Sequence, residues 1–317
     1  MTNPSPEFSI VIPICNEEEN IPLLYKQLVQ VMEGICAGAR NAEYCFEIIL
    51  VDDGSTDGSW ELIRDLNAKD HRVKGISFSR NFGHHVALTA GLDYAQGRAI
   101  ILMDGDLQDP PEEIPKLLSE FRKGFDLVYG IRGERNDPVM KKVSSHLFWW
   151  ILRKFSGVDI PGGQTMLRIL SRRLADALKG MREQARFIHG MMAWTGFNTT
   201  TVAVQHNPRK RGISKYDIPR MFKLAFHAVS SFSTVPLRLA TYMGLFSSLV
   251  SLIIGLFFVS KKIFLGIPVI GFASVIVAIF FVGGIQLLVL GMFGEYIGRT
   301  YQEVQKRPLY IIRESLS

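Results

Sequence analysis

Two long uncharged segments constrain most strongly how this chain can fold. Residues 239–260 and 263–294 contain no Asp, Glu, Lys or Arg. Each run exceeds the roughly 20 residues that an α-helix needs to cross a bilayer. A buried core helix is the alternative, but apolar runs of this length are unusual in a soluble core. The sequence therefore predicts a transmembrane helical hairpin, with spans at about 239–260 and 268–293.

Basic residues flank this hairpin unevenly. The link between the spans carries only Lys261 and Lys262. The segments before the first span and after the second are richer in Lys and Arg: Arg209, Lys210, Arg211, Lys215, Arg220, Lys223 and Arg238, then Arg299, Lys306, Arg307 and Arg313. The positive-inside rule predicts a two-span plasma (inner) membrane protein with both termini and the large N-terminal part in the cytoplasm. The N-terminus is polar and leads directly into a strand, so no signal peptide is expected.

The net charge of +6 indicates that the chain binds an acidic partner. The basic residues cluster beside the apolar spans, which favours anionic membrane lipid over nucleic acid as the partner. Two segments have the composition of helices that lie in the membrane interface. These are 139–156, which includes Trp149 and Trp150, and the juxtamembrane segment 216–235. Ordinary packing against a sheet is the alternative for both.

The first part of the chain alternates between strand and helix patterns. The predicted strands are Phe8–Ile14, Phe46–Val51, Val73–Ser79, Ala99–Met103 and Asp126–Ile131. The predicted helices are Ile21–Met32, Gly58–Leu66, His84–Tyr94 and Glu112–Phe121. This alternation predicts an α/β fold with a doubly wound, mostly parallel sheet. The GxGxxG and GxxxxGKS/T patterns are absent from the sequence, which disfavours dinucleotide oxidoreductases and P-loop NTPases.

The segment Ile100–Pro111 (IILMDGDLQDPP) carries the clearest chemical signal. A buried apolar strand runs into Asp104-Gly105-Asp106. Ligands of parallel sheets bind at the carboxyl ends of the strands. Paired carboxylates there suit Mg²⁺ or Mn²⁺ bridging substrate phosphates. A polar turn that only closes the strand is the alternative.

Other strand ends add groups of complementary chemistry. They are Asn16 and Glu17, Asp52 and Asp53, and Arg132 and Arg135. Carboxylates and amides can hydrogen-bond a base and a ribose, and arginines bind phosphate oxygens bidentately. The set predicts a nucleotide-diphosphate site without a P-loop.

Several motifs resemble those of a known family. IVIPICNEEENI, VDDGSTDGS, SRNFGHHVALTAGLDYA and MDGDLQDPPEEIP are similar to successive motifs of family 2 glycosyltransferases of the GT-A fold. The similarity is greatest to the polyprenyl-phosphate glycosyltransferases and continues through RFIHGMMAWTGF and RKRGISKY into the spans. It implies a GT-A domain over residues 1–215, followed by a region of two spans and a cytoplasmic tail over 236–317.

This resemblance implies transfer of a sugar from a UDP- or GDP-sugar to a polyprenyl phosphate, with inversion and a divalent cation, Mg²⁺ or Mn²⁺. By position, Pro13, Asn16 and Glu17 border the base and ribose, and Asp52 reads the base edge. Asp104 and Asp106 form the DxD pair, with Asp106 the direct metal ligand, and Gln108 lies beside the metal and diphosphate. Five further residues are expected near the phosphates, either in catalysis or around the acceptor phosphate. They are Arg132, Arg135, Arg209, Ser214 and Lys215.

One position departs from the family pattern. Many relatives carry an acidic residue two positions before the Arg of a DFRL-like segment, and Met166 stands there in this chain. A phosphate monoester has its second pKa near ~6, so the acceptor is already mostly a dianion at neutral pH. We therefore expect an in-line displacement with no essential protein base. His84 and His85 are expected to begin a helix near the donor, without a chemical role.

Two other functions compete with this interpretation. A processive polysaccharide synthase shares the GT-A domain, but its QxxRW-type motif is absent here. A non-catalytic scaffold or flippase partner is the second alternative. UDP-glucose and undecaprenyl phosphate are the favoured substrates, with UDP-galactose, GDP-mannose or a modified pentose still open. Glycines at 283, 284, 291 and 294 favour homo-oligomer packing through the hairpins.

The three cysteines have no metal-ligand spacing. Because a cytoplasmic domain is kept in a reducing environment, Cys15, Cys36 and Cys45 are expected to be free thiols. Cys15 is expected to be a small buried residue at the end of the first strand.

Overall fold

The computed structural model describes residues 5–38, 44–132, 161–207, 235–265 and 271–317. These residues fall into two compact units. One contains the β-sheet with its helices and includes the C-terminal residues Pro308–Ser317. The other contains two long apolar helices.

The first unit is built on one mixed sheet. Its eight strands are β1 (Phe8–Ile14), β2 (Phe46–Asp52), β3 (Val73–Phe78), β4 (Ala99–Leu102), β5 (Leu127–Arg132), β6 (Gln164–Ser171), β7 (Thr199–Val204) and β8 (Ile312–Leu316). Their spatial order is β7-β5-β6-β4-β1-β2-β3-β8. Among the described residues, six α-helices accompany them: α1 (Ile21–Cys36), α2 (Ser59–Lys69), α3 (His84–Tyr94), α4 (Ile114–Phe121), α5 (Arg172–Gly180) and α6 (Ile188–Trp194).

The predicted mostly parallel sheet is confirmed. Strands β1, β2, β3 and β4 pair in parallel, whereas β6 is antiparallel to β4 and β5, and β8 is antiparallel to β3. Every residue of β1, β2 and β4 is buried, as expected for parallel strands covered by helices on both faces. Helix α1 contributes Ile21, Leu24, Leu28 and Met32 to this core from one helical face.

The order of the strands locates the ligand crevice. Strand β1 is flanked by β2 on one side and by β4 on the other, so the chain reverses direction across the sheet between β1 and β4. Ligands of open α/β sheets bind at such a switch point, beside the carboxyl ends of the strands. The DxD segment follows β4 and the Asn16 loop follows β1, so this rule predicts a ligand crevice between these two segments.

Several local predictions need correction. The helix predicted from Glu112 begins as a 3₁₀ turn, Pro111–Glu113, and becomes α-helical only at Ile114. Cys36 and Cys45 form a disulfide, with their Cα atoms 6.2 Å apart, because the end of α1 returns to the start of β2. The expectation that both are free thiols is therefore wrong for this structure. Cys15 is free, as expected, but exposed rather than buried.

The second unit contains helices α7 (Val235–Leu265) and α8 (Phe272–Val304). Their stretches Ala240–Phe264 and Ala278–Val304, of 25 and 27 residues, are long and apolar enough to cross a membrane by length and composition. The second stretch runs past the predicted end at 293. In this added part of the stretch, Arg299 Nε lies 3.0 Å from Glu295 Oε1, so an ion pair joins two successive turns of the helix. The predicted interfacial helices, 139–156 and 216–235, lie largely or wholly outside the described residues.

Candidate active site

The DxD segment leaves the sheet at the end of β4. The backbone N–H of Met103 still donates to the carbonyl of Val11 on β1, and Asp104, Gly105 and Asp106 follow directly. A Cβ atom at Gly105 would lie 2.7 Å from Cδ1 of the fully buried Ile14. Glycine between the two carboxylates thus lets the loop lie against the core.

Asp106 shapes the rest of this loop. Its Oδ1 accepts the backbone N–H of Gln108 at 3.1 Å. Leu107 between them adopts a left-handed backbone, with φ of 60°. Such a conformation is uncommon for a residue other than glycine and is often found at functional sites. The loop is therefore held in a specific shape just after the strand.

Asp104 lies in a region of concentrated negative charge. Burial, then the charges of Asp106 and Asp109, raise the pKa of Asp104 to about 7. About a third of its side chain is exposed, at 32 %, yet its Oδ1 is buried and has no hydrogen-bond partner among the described residues. A carboxylate in such surroundings is stabilised by a cation.

His84 and His85 begin α3, as predicted. His84 Nε2 lies 3.6 Å from Asp104 Oδ1. Burial lowers the pKa of His84, and it lowers that of His85 to about 4. Burial thus disfavours the charged form of both imidazoles, which argues against His84 as the source of positive charge for the carboxylates.

The loops after β1 and β2 are joined by hydrogen bonds. Asn16, with a left-handed φ of 58°, accepts the N–H of Thr56 at 2.8 Å through Oδ1 and donates its own N–H to Ser55 Oγ at 3.0 Å. The N–H of Glu17 donates to Ser59 Oγ, also at 3.0 Å. The structure therefore brings the predicted residues Asn16 and Glu17 beside the loop that follows Asp52.

Asp52 ends β2 and is fully buried. Its Oδ1 accepts the N–H of Ser55 at 2.9 Å, and its Oδ2 accepts the hydroxyl of Ser77 at 2.7 Å. The neighbouring Asp53 acts differently, because its carboxylate accepts the N–H groups of Phe82 and Gly83. Asp53 therefore holds the loop that leads into α3, while Asp52 is oriented toward the ends of β2 and β3.

A buried arginine was missed in the sequence. Arg168 in β6 has no exposed surface, and burial lowers its pKa to about 10, so it stays charged at neutral pH. Its guanidinium donates to the carbonyls of Thr165 and Met166 and lies 2.7 Å from Nδ1 of His189. The sequence did contain a signal for this buried charge, because Arg168 interrupts the otherwise apolar run Met166–Leu170.

The structure describes some of the other predicted site residues but not all of them. Pro13 is the penultimate residue of β1 and pairs with Val51. Arg132 ends β5 and is partly buried, and its N–H donates to the carbonyl of Gly163. Gln108 accepts the N–H of Asn207 through its carbonyl. Arg135, Arg209, Ser214 and Lys215 lie outside the described residues.

No group of three or more His, Cys, Asp or Glu side chains in the described ranges is arranged to hold a metal ion. Asp104 and Asp106 can supply two carboxylates. Mg²⁺ in proteins is commonly held by one or two carboxylates and completed by substrate phosphates and water. The residues present therefore fit a cation that binds together with a diphosphate.

The sequence matches the family model "Glycosyl transferase family 2" over residues 9–177. The chain belongs to this family and is a glycosyltransferase. It is 39% identical over 309 residues to an uncharacterized glycosyltransferase of Synechocystis sp., covering 97% of this chain and 95% of that protein. It is also 39% identical over 310 residues to the SfII prophage-derived bactoprenol glucosyl transferase of Shigella flexneri, covering 98% of each. A prophage bactoprenol glucosyl transferase homolog of Escherichia coli K12 shares 39% identity over 308 residues, which is 97% of this chain and 98% of that one.

Solved structures are more distant. Residues 1–349 of S. aureus TarS, in complex with UDP-GlcNAc, align with a TM-score of 0.47 and 18% identity, covering 71% of this chain and 66% of that one. Because the TM-score lies below 0.5, the family assignment rests on the family model and the full-length relatives.

Proposed function

We propose that this glycosyltransferase transfers glucose from UDP-glucose to undecaprenyl phosphate, with inversion and with Mg²⁺ or Mn²⁺, at the cytoplasmic face of the plasma (inner) membrane. One observation carries the proposal. A carboxylate pair stands at the switch point of the sheet, in a chain that also contains two helices long and apolar enough to cross a membrane. The bactoprenol glucosyl transferases, which match nearly the whole chain, support the choice of sugar and lipid.

The donor nucleotide lies along the ends of β1 and β2. Asp52 hydrogen-bonds the edge of the base, and Asn16 and Glu17 border the base and ribose. Support comes from the hydrogen bonds that join these loops, because they hold the polar groups in place before the donor arrives.

The diphosphate lies at the DxD segment. Asp106, with Asp104, holds the divalent cation, and support comes from the buried Oδ1 of Asp104, which has no hydrogen-bond partner in the described part of the chain. When bound, the cation supplies positive charge that offsets the charge of the departing diphosphate. Arg132, at the end of β5, adds a second positive charge near the phosphates.

The chemical step is a single in-line displacement. An oxygen of the acceptor phosphate forms a bond to the anomeric carbon, while the bond from that carbon to the UDP oxygen breaks and UDP leaves with the electron pair. The acceptor dianion needs no deprotonation at neutral pH, since its second pKa is near ~6. Met166 at the usual acidic position is consistent with a reaction that requires no protein base.

The acceptor explains the membrane segments. A polyprenyl chain stays in the bilayer, so its phosphate is reached only at the membrane surface. Helices α7 and α8 anchor the enzyme there, and their exposed apolar side chains, such as Phe264, Phe280 and Leu287, require a lipid environment. Arg209, Ser214 and Lys215 bind the lipid phosphate, and the hairpins assemble into a homo-oligomer.

An extraction assay tests the proposal. Purified protein in detergent is mixed with undecaprenyl phosphate, Mg²⁺ and labelled UDP-glucose, and in parallel with UDP-galactose or GDP-mannose. Label is expected to enter the organic phase with UDP-glucose. The label should disappear with EDTA and return with Mn²⁺. Asp106→Ala should lose at least about a hundredfold in rate, whereas Glu61→Gln, at an exposed position on α2, should remain active.

Other outcomes would contradict parts of the proposal. Transfer from another donor would contradict the choice of glucose but would leave the proposed type of reaction unchanged. Activity that persists in EDTA and in Asp106→Ala would contradict the proposed requirement for a divalent cation. A polymeric product would favour the processive synthase, and a folded protein that binds neither UDP nor metal would favour the scaffold.

A further inference from the structure

The C-terminal residues complete the sheet beside the expected nucleotide site. Strand β8 follows α8 after residues 305–311 and pairs antiparallel with β3. Glu314 accepts the indole N–H of Trp60 at 3.0 Å and lies 3.0 Å from Nη2 of Arg64. The tail is thus anchored to α2 as well as to the sheet.

A β-bulge in this pairing singles out Arg313. Ser77 pairs with Glu314, and the next residue of β3, Phe78, pairs with Ile312, so Arg313 is the additional residue. Bulges re-aim a side chain and are frequent next to active sites. Here the bulge lies opposite the last two residues of β3, at the carboxyl edge of the sheet.

The side chain of Arg313 reaches toward Asp52. Its Nη2 donates to Ser77 Oγ at 2.8 Å and lies 3.7 Å from Asp52 Oδ2. Ser77 in turn donates its hydroxyl hydrogen to the same Oδ2 at 2.7 Å. Ser77 and Asp52 are fully buried, whereas half of the Arg313 side chain is exposed. A hydrogen-bonded chain therefore runs from the exposed tail to the buried carboxylate.

We propose that Arg313 is a positioning residue for recognition of the donor base, acting through Ser77 and Asp52. This inference rests on the proposed function, in which Asp52 reads the base. The guanidinium occupies one lone pair of Ser77 Oγ, which directs the hydroxyl hydrogen at Oδ2 and limits rotation of the carboxylate. Its positive charge, 3.7 Å from Asp52 Oδ2, also offsets part of the cost of burying that carboxylate. Asp52 is thereby held in one orientation at the carboxyl edge of the sheet, where the base is proposed to lie.

Three single variants, assayed for UDP binding by calorimetry and for donor KM and kcat, test this role. Arg313→Ala should raise the Kd for UDP and the donor KM about tenfold, with kcat within about twofold. Arg313→Lys keeps the charge, so its Kd for UDP and its donor KM should lie within about threefold of the wild-type values. Arg64→Ala is the matched control, because it removes an ion pair to the same strand but leaves the Arg313 contacts unchanged; its Kd should stay within about twofold.

The control separates positioning from docking of the strand. Equal rises in Kd for Arg64→Ala and Arg313→Ala would mean that Arg313 only anchors the tail. An unchanged Kd in Arg313→Ala would also overturn the inference. The proposed function fails separately, if the wild type binds UDP with the Arg313 dependence described yet transfers no glucose to lipid.

Discussion

Asp109 and His206 form a contact that links two separate segments of the site, with His206 Nδ1 2.8 Å from Asp109 Oδ1. The second oxygen of Asp109 accepts the backbone N–H groups of Met166 and Leu167, both at 3.1 Å. Asp109 is 3 % exposed. One buried carboxylate thus joins the end of the DxD segment to β6 and to the chain after β7, shortly before Arg209.

Replacing this carboxylate should destabilise the protein more than removing its histidine partner. Asp109→Ala leaves two N–H groups and one imidazole without this acceptor, and we expect a loss of about 2–4 kcal/mol in the free energy of unfolding. His206→Ala removes one contact and should cost about 1 kcal/mol. Thermal unfolding of the detergent-solubilised variants measures the difference. Equal losses would show that the bonds to β6 contribute little.

The glycine between the two DxD carboxylates should be required because of Ile14. Gly105→Ala places a Cβ 2.7 Å from Ile14 Cδ1, and overpacking of this kind should cost about 1–3 kcal/mol of stability. Ile14→Val removes that Cδ1 atom, so the double variant should be more stable than the sum of the single effects predicts.

A control for this cycle lies in α1. Gly34→Ala meets no atom within 4 Å and should be neutral or slightly stabilising. Additive effects of Gly105→Ala and Ile14→Val in thermal unfolding would mean that the loop moves away from the core instead.

Restoring an acidic residue at position 166 should not accelerate the reaction. If the acceptor phosphate needs no base, Met166→Asp leaves kcat unchanged or lowers it, because it adds negative charge near Asp109, which binds the N–H of residue 166. Steady-state rates with saturating donor and lipid measure this. A rise in kcat of about tenfold or more would show that the wild-type chain lacks a useful base.

Asp70 should make stability depend on acid pH. Burial alone raises the pKa of Asp70, but hydrogen bonds from Arg72 and Tyr25 outweigh it and lower the pKa from 3.8 to about 2. A lowered carboxyl pKa adds stability above the unfolded value, and that stability is lost as pH falls from about 4 to about 2.

Asp70→Asn tests this dependence. The variant should be less stable than wild type by about 1–2 kcal/mol at pH 7, after allowance for solvent screening. The gap should close as the pH falls through 4 toward 2. Unfolding measured at pH 7, 4 and 3 follows the trend, with the exposed Asp65→Asn as control. A difference in unfolding free energy that stays constant with pH would mean that the variant changes packing rather than a charge interaction.

Local patterns were sufficient to predict much of this fold. The limits of β1 and α3 were predicted to the residue, because apolar runs and turn residues mark the ends of buried strands and their helices. The two apolar helices were predicted because a long uncharged run has few other stable environments. The DxD pair was predicted at a strand end because Asp and Gly interrupt an apolar run.

Strands β6, β7 and β8 were not predicted, since their pairing partners are distant in the sequence. Strand β8 has an alternating pattern of only five residues and acquires a partner when the chain returns to β3. The buried charge of Arg168 was also missed, because carbonyl groups that the fold brings together satisfy its guanidinium.

The sequence by itself therefore determined the type of sheet, the apolar helices and the chemical groups at the strand ends. Each of these depends on residues that are neighbours along the chain. Only the tertiary structure decided that Arg313 faces Asp52, that Asp109 joins β6 to the chain after β7, and that Ile14 restricts position 105. The physical reason is that these contacts join residues far apart in sequence, and their energies depend on distances that the folded sheet sets.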